Sequence, residues 1–271
     1  MQCATPSSMS SGSRRVLAIE FVGHACFRLW EGGRPSVVMD PYHFDETKLP
    51  DDGRRLEADT VIVSSLTDRA HGNPGLVAGS PRVINALDVA TGNALGEAAE
   101  LNGHPIVTIA AKEHPEHTEH DPMDNAMYAF YAGEGEAGLW VAHVGDIGYG
   151  IPNEDLGRWR GKCDLLLAIA GERNTVKLPE LARMIDHLEP KWVVPMHYAL
   201  PPLAGSGGGG MTWVDAFLNA HPDLAVYVPR HHTVELPLPT AANGRPTLVV
   251  LEPSGYTPTA GLPRFTTTRP A

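Results

Sequence analysis

The chain has 271 residues, of which 42% are hydrophobic, and this is enough to bury a sizeable core in one large domain or two small ones. Its 32 acidic residues outnumber its 21 lysines and arginines, and the formal charge of −11 argues against general nucleic-acid binding. The three scattered cysteines do not resemble a disulfide framework, and neither a secretory signal nor a run of roughly 20 apolar residues is found, so we expect a cytoplasmic protein that does not span a membrane.

The first half of the chain reads mainly as strands. After a tail over residues 1–14 that we expect to be disordered, the segment RVLAIEFVGHACFRLWEGGRPSVVMDPY alternates apolar and polar residues on both sides of a Gly-Gly-Arg-Pro turn, which predicts a hairpin. The next strand, ADTVIVSSL, is apolar throughout and is therefore expected to be covered on both faces. RVINALDVATGNALGEAAELNG begins as a strand and continues with helical composition, and HPIVTIAA predicts another strand.

The second half alternates strands and helices. NAMYAFYAG, GLWVAHVGD, CDLLLAIAG and WVVPMHYAL predict four strands, and the helix before the last of them places Leu178, Leu181, Ile185 and Leu188 on one face. A glycine-rich loop precedes a second helix, MTWVDAFLNAH, and three short strands and a Pro/Thr-rich tail over 255–271 follow. Two groups of strands with helices predict an α/β fold, a four-layer αββα sandwich formed by one domain over 15–254.

Several predicted strands end in polar residues. Asp40 follows one strand, SSLTDRAH follows another after Val63, and Asp146 and His197 follow two more. Histidines and carboxylates delivered by separate strand ends are typical of a metal site, although Asp146 could instead cap a turn and His197 could be a satisfied core histidine. The loop AAKEHPEHTEHDPMDN adds Glu113 and His114 as candidates, or is merely a solvated acidic loop.

Three motifs together resemble the metallo-β-lactamase fold, specifically its UlaG-like branch of metal-dependent hydrolases. They are FVGHACFRLWEGGRPSVVMDPY, WVAHVGDIGYG and PKWVVPMHYAL, and the resemblance covers roughly residues 16 to 200. It implies a T-H-x-H-x-D-H ligand motif, which this chain replaces with SSLTDRA. Ser65 and Thr67 occupy the positions of two histidines, Arg69 that of the aspartate and Ala70 that of the last histidine. We therefore expect that the usual binuclear site cannot form.

The resemblance carries other ligands over to this chain. It implies that Asp146 is the bridging aspartate, that His197 is the last histidine and that His114 is the best match for a third. It also gives Asp40 a supporting role and His24 a structural one. Glu113 lies one residue from His114, and Asp68 and His71 could reach an ion from the altered loop. The predicted metal ligands are therefore His114, Asp146, His197, His71, Asp68 and Glu113, with Asp146, His197 and Asp68 as the catalytic residues.

Two functions remain open from the sequence. The first is hydrolysis of an ester, lactone, amide or phosphoester of a small molecule by one divalent metal, most suitably zinc, with manganese or iron as alternatives. The second is a metal-free family member: a scaffold, a protein that catalyses a non-hydrolytic step with a histidine as acid or base, or one that binds a small anionic ligand through Arg69, Ser65 and Thr67. An arginine can hold an anion with two hydrogen bonds. Neither involves nucleic acid or membrane, and both are compatible with a homo-oligomer.

Overall fold

The computed structural model of the chain describes residues 16–51, 53–118, 120–200 and 210–255. The predicted N-terminal tail, nearly all of the predicted C-terminal tail and the glycine-rich loop up to residue 209 lie outside the described residues. The strands are β1 (Leu17–Gly23), β2 (Cys26–Glu31), β3 (Arg34–Met39), β4 (Thr60–Val63), β5 (Arg82–Asn85), β6 (Glu100–Leu101), β7 (His104–Pro105), β8 (Val107–Ala111), β9 (Asn125–Ala132), β10 (Leu139–His143), β11 (Leu165–Ile169), β12 (Trp192–Met196), β13 (Ala225–Tyr227), β14 (Thr233–Leu236) and β15 (Thr247–Val249). The α-helices are α1 (Phe44–Thr47), α2 (Ala86–Ala90), α3 (Asn153–Leu156), α4 (Leu178–Leu188) and α5 (Val214–Ala220).

Two mixed sheets form the body of the protein. The six-stranded sheet has the order β14-β1-β2-β3-β4-β5, and the seven-stranded sheet has the order β13-β15-β12-β11-β10-β9-β8. Strands β3, β4 and β5 run parallel to one another, as do β10, β11, β12, β15 and β13, whereas the remaining neighbours are antiparallel. Buried side chains from both sheets and from α4 belong to one hydrophobic core. The predicted α/β sandwich is confirmed.

The predicted N-terminal hairpin is in fact two hairpins. Strand β2 pairs with β1 on one side and with β3 on the other. The β2–β3 turn uses Gly32 and Gly33, whose φ angles of 61° and 78° are positive, as a two-residue hairpin turn requires. The β1–β2 turn instead contains His24, which has a positive φ of 56° without being a glycine. This turn was not predicted from the sequence, and it places a histidine at the end of a strand.

Other predicted elements agree with the structure. All four residues of β4 are buried, which confirms that this strand is covered on both faces. Helix α4 buries Leu178, Leu181, Met184, Ile185 and Leu188. It ends at Leu188, followed by the C-cap residue Glu189, whose φ is 49°, and then by Pro190. Among the helices of the described ranges, none is both long enough and apolar enough to cross a bilayer.

Candidate metal centre

Five chain segments bring polar residues to one end of the two sheets. His24 follows β1, Asp40 follows β3, and residues 64–71 follow β4. On the other sheet, Asp146 lies just after β10 and His197 directly after β12. The two sheets are joined here, because the backbone N–H of His197 donates a 2.7 Å hydrogen bond to the carbonyl oxygen of His24. The site is therefore assembled at the interface between the sheets.

Three buried histidines lie at the centre of this end. The ring centroids of His24 and His197 are 4.1 Å apart, those of His24 and His71 are 4.7 Å apart, and those of His71 and His197 are 5.1 Å apart. One ring nitrogen of each lies within 4.8 Å of the others. The residues are 7%, 1% and 7% exposed in the order His24, His71, His197. Such a set of imidazoles suits zinc, copper, iron or nickel.

Two carboxylates adjoin His71. Asp68 Oδ2 lies 2.7 Å from His71 Nδ1, and Asp68 Oδ1 accepts the backbone N–H groups of Ala70 and His71 at 2.7 and 3.0 Å. Asp146 Oδ2 lies 3.6 Å from the same Nδ1, and Asp146 Oδ1 lies 3.9 Å from His197 Nε2. Asp68, His71 and Asp146 form a second group in which one potential ligand atom of each lies within 4.8 Å of the others.

Some buried polar atoms of this cluster have no hydrogen-bond partner among the described residues. They are Nε2 of His71, Nδ1 of His197 and Oδ1 of Asp146. Buried polar atoms are normally hydrogen-bonded, because an unmade bond costs about 1–3 kcal/mol. Three such atoms in one cluster are explained if they face a bound ion. Because Asp68 engages Nδ1 of His71, Nε2 is the nitrogen that remains free for a metal, an arrangement common among metal-binding histidines.

The electrostatics of the cluster reflect its burial. Burial alone would lower the pKa of His71, but the charges of Asp68 and Asp146 outweigh it and raise this pKa to about 10. Burial would raise the pKa of Asp68, yet its interactions with His71 lower it to about 2. Burial, together with the Asp68 and Glu113 charges, raises the pKa of Asp146 well above its ordinary value despite the opposing effect of His71. A cation placed among these groups would compensate for the buried carboxylates.

The backbone around the cluster is strained. His24, Asp40 and His197 have φ angles of 56°, 42° and 54°, in the left-handed region that costs a residue with a side chain roughly 1 kcal/mol or more. Each of them turns the chain directly after a strand. Gly171 allows His197 to approach, because a Cβ at this position would collide with the His197 carbonyl oxygen. Strain of this kind is concentrated at functional sites.

Asp40 anchors the altered loop rather than touching the histidine cluster. Its carboxylate is fully buried and accepts hydrogen bonds from the backbone N–H of Ser64 at 2.7 Å, the Ser64 hydroxyl at 2.6 Å and the Tyr128 hydroxyl at 3.2 Å. Its Oδ2 lies 3.6 Å from Nδ1 of the buried His143. The hydrogen bonds to Ser64 hold the start of the segment that carries Asp68 and His71, which agrees with a supporting role.

A cleft of about 460 Å³ opens onto the cluster. Its walls include His24, Asp146 and His197 from the cluster, and Glu113, His114, His117 and Asp124 from the segment between β8 and β9. The remaining polar groups that line the cleft belong to Glu46, Thr47, Lys48, Arg173 and Asn174. Burial, followed by the charge of Asp68, raises the pKa of Glu113 to about 7, so both of its protonation states are populated near neutral pH.

The structure brings together only part of the predicted site. Asp68, His71, Asp146 and His197 meet in the cluster. Glu113 and His114 line the cleft but belong to neither group of potential ligands found among the described residues. The Nδ1 of His114 instead accepts the backbone N–H of Glu116 at 3.2 Å.

The three predicted anion-binding residues lie elsewhere. Arg69 points outward with 84% of its side chain exposed, and its guanidinium pairs with Glu46 at 2.5 Å. Ser65 and Thr67 bond to each other through their hydroxyl groups at 2.8 Å. Among the described residues that line the cleft, none of these three is present. The reason is local: the turn capped by Asp68 directs residues 68 and 71 inward and residue 69 outward.

His24 is the residue that the sequence analysis placed outside the metal site. It was assigned a structural position, whereas the structure puts its ring beside those of His71 and His197, with centroids 4.7 and 4.1 Å away. The signal in the sequence was its location after an apolar strand, the same feature that singled out Asp146 and His197. Arg173 was also missed, because nothing in its local sequence indicates that it lines the cleft.

Comparison with known proteins agrees with this geometry. Residues 18–197 match the family model of the Beta-lactamase superfamily domain, and this span contains the whole histidine cluster. The chain belongs to this superfamily. Its fold is of the metallo-β-lactamase type, and the resemblance stated from the sequence is confirmed at this level. The narrower likeness to the UlaG-like branch stays a prediction.

Several relatives and structures of the superfamily are similar to the chain. A UPF0173 protein of Pyrococcus abyssi is 28% identical over 206 residues, which are 72% of this chain and 86% of the relative. A UPF0173 metal-dependent hydrolase of Cupriavidus metallidurans is 25% identical over 259 residues, with 83% and 86% covered. A solved structure from Thermotoga maritima, in the metallo-beta-lactamase superfamily, has a TM-score of 0.57 at 24% identity and covers 87% of this chain and 100% of its own.

Proposed function

We propose that this protein is a metal-dependent hydrolase that holds one divalent ion, most suitably zinc, among His24, His71, His197 and Asp146. The observation that carries the proposal is the buried group of three histidines with ring nitrogens within 4.8 Å of one another. The unpartnered atoms of His71, His197 and Asp146 support it. Nitrogen and carboxylate ligands suit zinc, and a larger share of carboxylates would favour manganese or iron.

The ligand set leaves room for catalysis. Three protein ligands are sufficient for a catalytic zinc ion, which keeps a further position open. The three histidines supply these ligands, and Asp146 lies beside them with its Oδ1 3.9 Å from Nε2 of His197. The ion supplies Lewis acidity, which polarises a carbonyl or phosphoryl oxygen and makes water more acidic. The nearby cleft of about 460 Å³ is large enough for a small substrate.

Two neighbouring carboxyl groups have separate roles in this proposal. Asp68 is a positioning residue, because its 2.7 Å contact fixes the His71 ring and leaves Nε2 free. Glu113 lines the cleft, and its pKa of about 7, raised by burial and by Asp68, suits a group that holds or releases a proton at neutral pH. Glu113 would give a proton to the leaving group of an ester, lactone, amide or phosphoester.

Names given to similar proteins support the same reaction class. The Cupriavidus metallidurans relative is called a metal-dependent hydrolase, and the name of the Thermotoga maritima structure suggests a zinc-dependent hydrolase. The proposal about which bond is cleaved is based on the site alone, since function resides in the site rather than in the fold.

The test begins with metal content. Protein purified without an affinity tag or chelator is analysed by elemental mass spectrometry and screened against esters, lactones, amides and phosphoesters. The variants are Asp146→Asn, His24→Asn and His197→Asn. Asparagine is chosen for the two histidines because it tolerates the left-handed backbone that both adopt. His187→Asn is the matched control, since His187 lies on α4 and is partly exposed.

We expect about one equivalent of metal in the parent and in His187→Asn, and a large loss of zinc affinity in the three site variants. The rate of hydrolysis should fall in each variant in proportion to its loss of bound metal. Two equivalents per chain would overturn the single-ion site. Unchanged zinc affinity in a folded His24→Asn variant would remove His24 from the ligand set. Full activity in metal-stripped, folded protein would overturn the metal-dependent function and favour the metal-free alternative.

A further inference from the structure

The loop between β11 and α4, residues 170–177, contacts the segments that carry two of the proposed ligands, His197 and Asp146. At its start, the carbonyl oxygen of Gly171 accepts the N–H of Thr212 at 2.9 Å, and Gly171 lies directly against the backbone of His197. Near its end, the N–H of Val176 donates a 2.8 Å hydrogen bond to the carbonyl oxygen of Ile147, the residue after Asp146. The loop is therefore held in a fixed position beside the metal centre.

The apex of this loop is Arg173, and its two neighbours hold an unusual backbone. Glu172 and Asn174 have φ angles of 55° and 54°, although neither is a glycine. Glu172 also has its polar atoms engaged, since its carboxylate accepts the N–H of Leu178 at 3.1 Å and its carbonyl oxygen accepts Nζ of Lys177 at 2.7 Å. Asparagine tolerates this region, but it is costly for Glu172, and such strain is retained mainly where function requires it.

Arg173 lines the cleft together with Asp146 and His197. Among the described residues, none forms a hydrogen bond or an ion pair with its guanidinium. The other cation on the cleft, Lys48, already donates to the carbonyl oxygen of Asp45. Of these two cleft cations, Arg173 is therefore the one whose charged group has no protein partner among the described residues.

We propose that Arg173 binds a singly charged oxyanion of the substrate, a carboxylate in the first instance, beside the bond that is hydrolysed. This inference rests on the proposed metal-dependent function. Guanidinium groups bind carboxylates through two parallel hydrogen bonds, and these are stronger than bonds between neutral groups. Asp124 lines the same cleft, and its charge disfavours a doubly charged group such as a phosphate monoester. The anionic ligand predicted from the sequence is retained, but its partner changes from Arg69 to Arg173.

The experiment uses simple carboxylates as probes on zinc-loaded protein. Linear dicarboxylates from malonate to adipate are compared by calorimetry with the monocarboxylates of equal chain length, after the zinc content of each sample has been measured. One carboxylate binds at the ion in both series, so the gain in affinity within each pair reports on the second carboxylate. The variants are Arg173→Gln, Arg173→Lys and Arg69→Gln. Arg158→Gln, an exposed arginine outside the cleft, is the matched control.

We expect a gain of about tenfold or more for at least one chain length in the parent, as a charge-assisted hydrogen bond provides. The gain should disappear in Arg173→Gln, persist in part in Arg173→Lys and remain complete in Arg158→Gln. An equal gain in Arg173→Gln, or no gain at any chain length, overturns this inference and leaves the hydrolase proposal intact. Loss of the gain in Arg69→Gln alone would overturn it in favour of Arg69. Protein that binds no zinc overturns both proposals.

Discussion

Replacing Asp68 with asparagine separates a residue that orients a metal ligand from one that binds the metal itself. Asp68 makes three short contacts: Oδ1 accepts two backbone N–H groups, and Oδ2 lies 2.7 Å from Nδ1 of His71. An asparagine has only one accepting oxygen, so it can keep the backbone hydrogen bonds or the one to His71, but not both. The substitution also removes the buried negative charge that stabilises the imidazole ring of His71 in its orientation.

The expected effect of Asp68→Asn is a fall in zinc affinity of about 10- to 100-fold, which is the usual result when the partner of a metal-binding histidine is removed. This corresponds to about 1.4–2.8 kcal/mol and agrees with the value of about 1.5–3 kcal/mol for a hydrogen bond to a charged group. The assay is zinc competition with a chromophoric chelator, with thermal melts of the metal-free protein to monitor folding. Asp223→Asn, whose side chain is 80% exposed, is the control.

Two results would refute this reasoning. Unchanged zinc affinity in a folded Asp68→Asn variant would mean that Asp68 does not orient His71 for an ion. A loss well beyond 100-fold, of about 10⁴-fold or about 5.5 kcal/mol, would mean that Asp68 is itself a ligand, as the sequence analysis predicted. The control variant should match the parent in either case.

Three further predictions concern the frame of the site. In Gly171→Ala the new Cβ meets the rigid backbone of His197, so thermal melts should show a loss of about 3 kcal/mol, whereas Gly157→Ala, which has open space, should lose far less. Burial followed by the Asp68 charge raises the pKa of Glu113 from 4.5 to about 7, so this carboxyl stabilises the metal-free parent protein at low pH and the stabilisation is lost as the pH rises through 7. Between pH 4.5 and 8 the parent should therefore lose more stability in urea denaturation than Glu113→Gln, and an equal loss in both proteins would contradict this. Asp40→Asn keeps the left-handed backbone but weakens three buried hydrogen bonds, and we expect it to cost about 2 kcal/mol in urea denaturation; a stability equal to the parent's would show that the carboxylate charge is dispensable.

The sequence by itself determined the class of fold and the end of the sheets at which the site lies. Apolar alternation and a continuous apolar run predicted strands such as β4, and the spacing of leucines predicted α4, because these periodicities follow directly from which face is buried. The polar residues after the strands then identified Asp146 and His197. Strand ends that point the same way bring their following residues together, so these two residues were accessible to sequence reasoning.

Only the tertiary structure decided which residues at that end face one another. Asp68 and His71 point inward and Arg69 points outward because hydrogen bonds within one short turn set their directions, and hydrophobic periodicity carries no information about such a turn. His24 joins the cluster because a backbone hydrogen bond between the two sheets brings it to His197, which is 173 positions away in the chain. Arg173 reaches the cleft through a loop anchored at both ends to strand ends that the local sequence does not specify. These placements depend on contacts between distant segments, and therefore only the folded chain determines them.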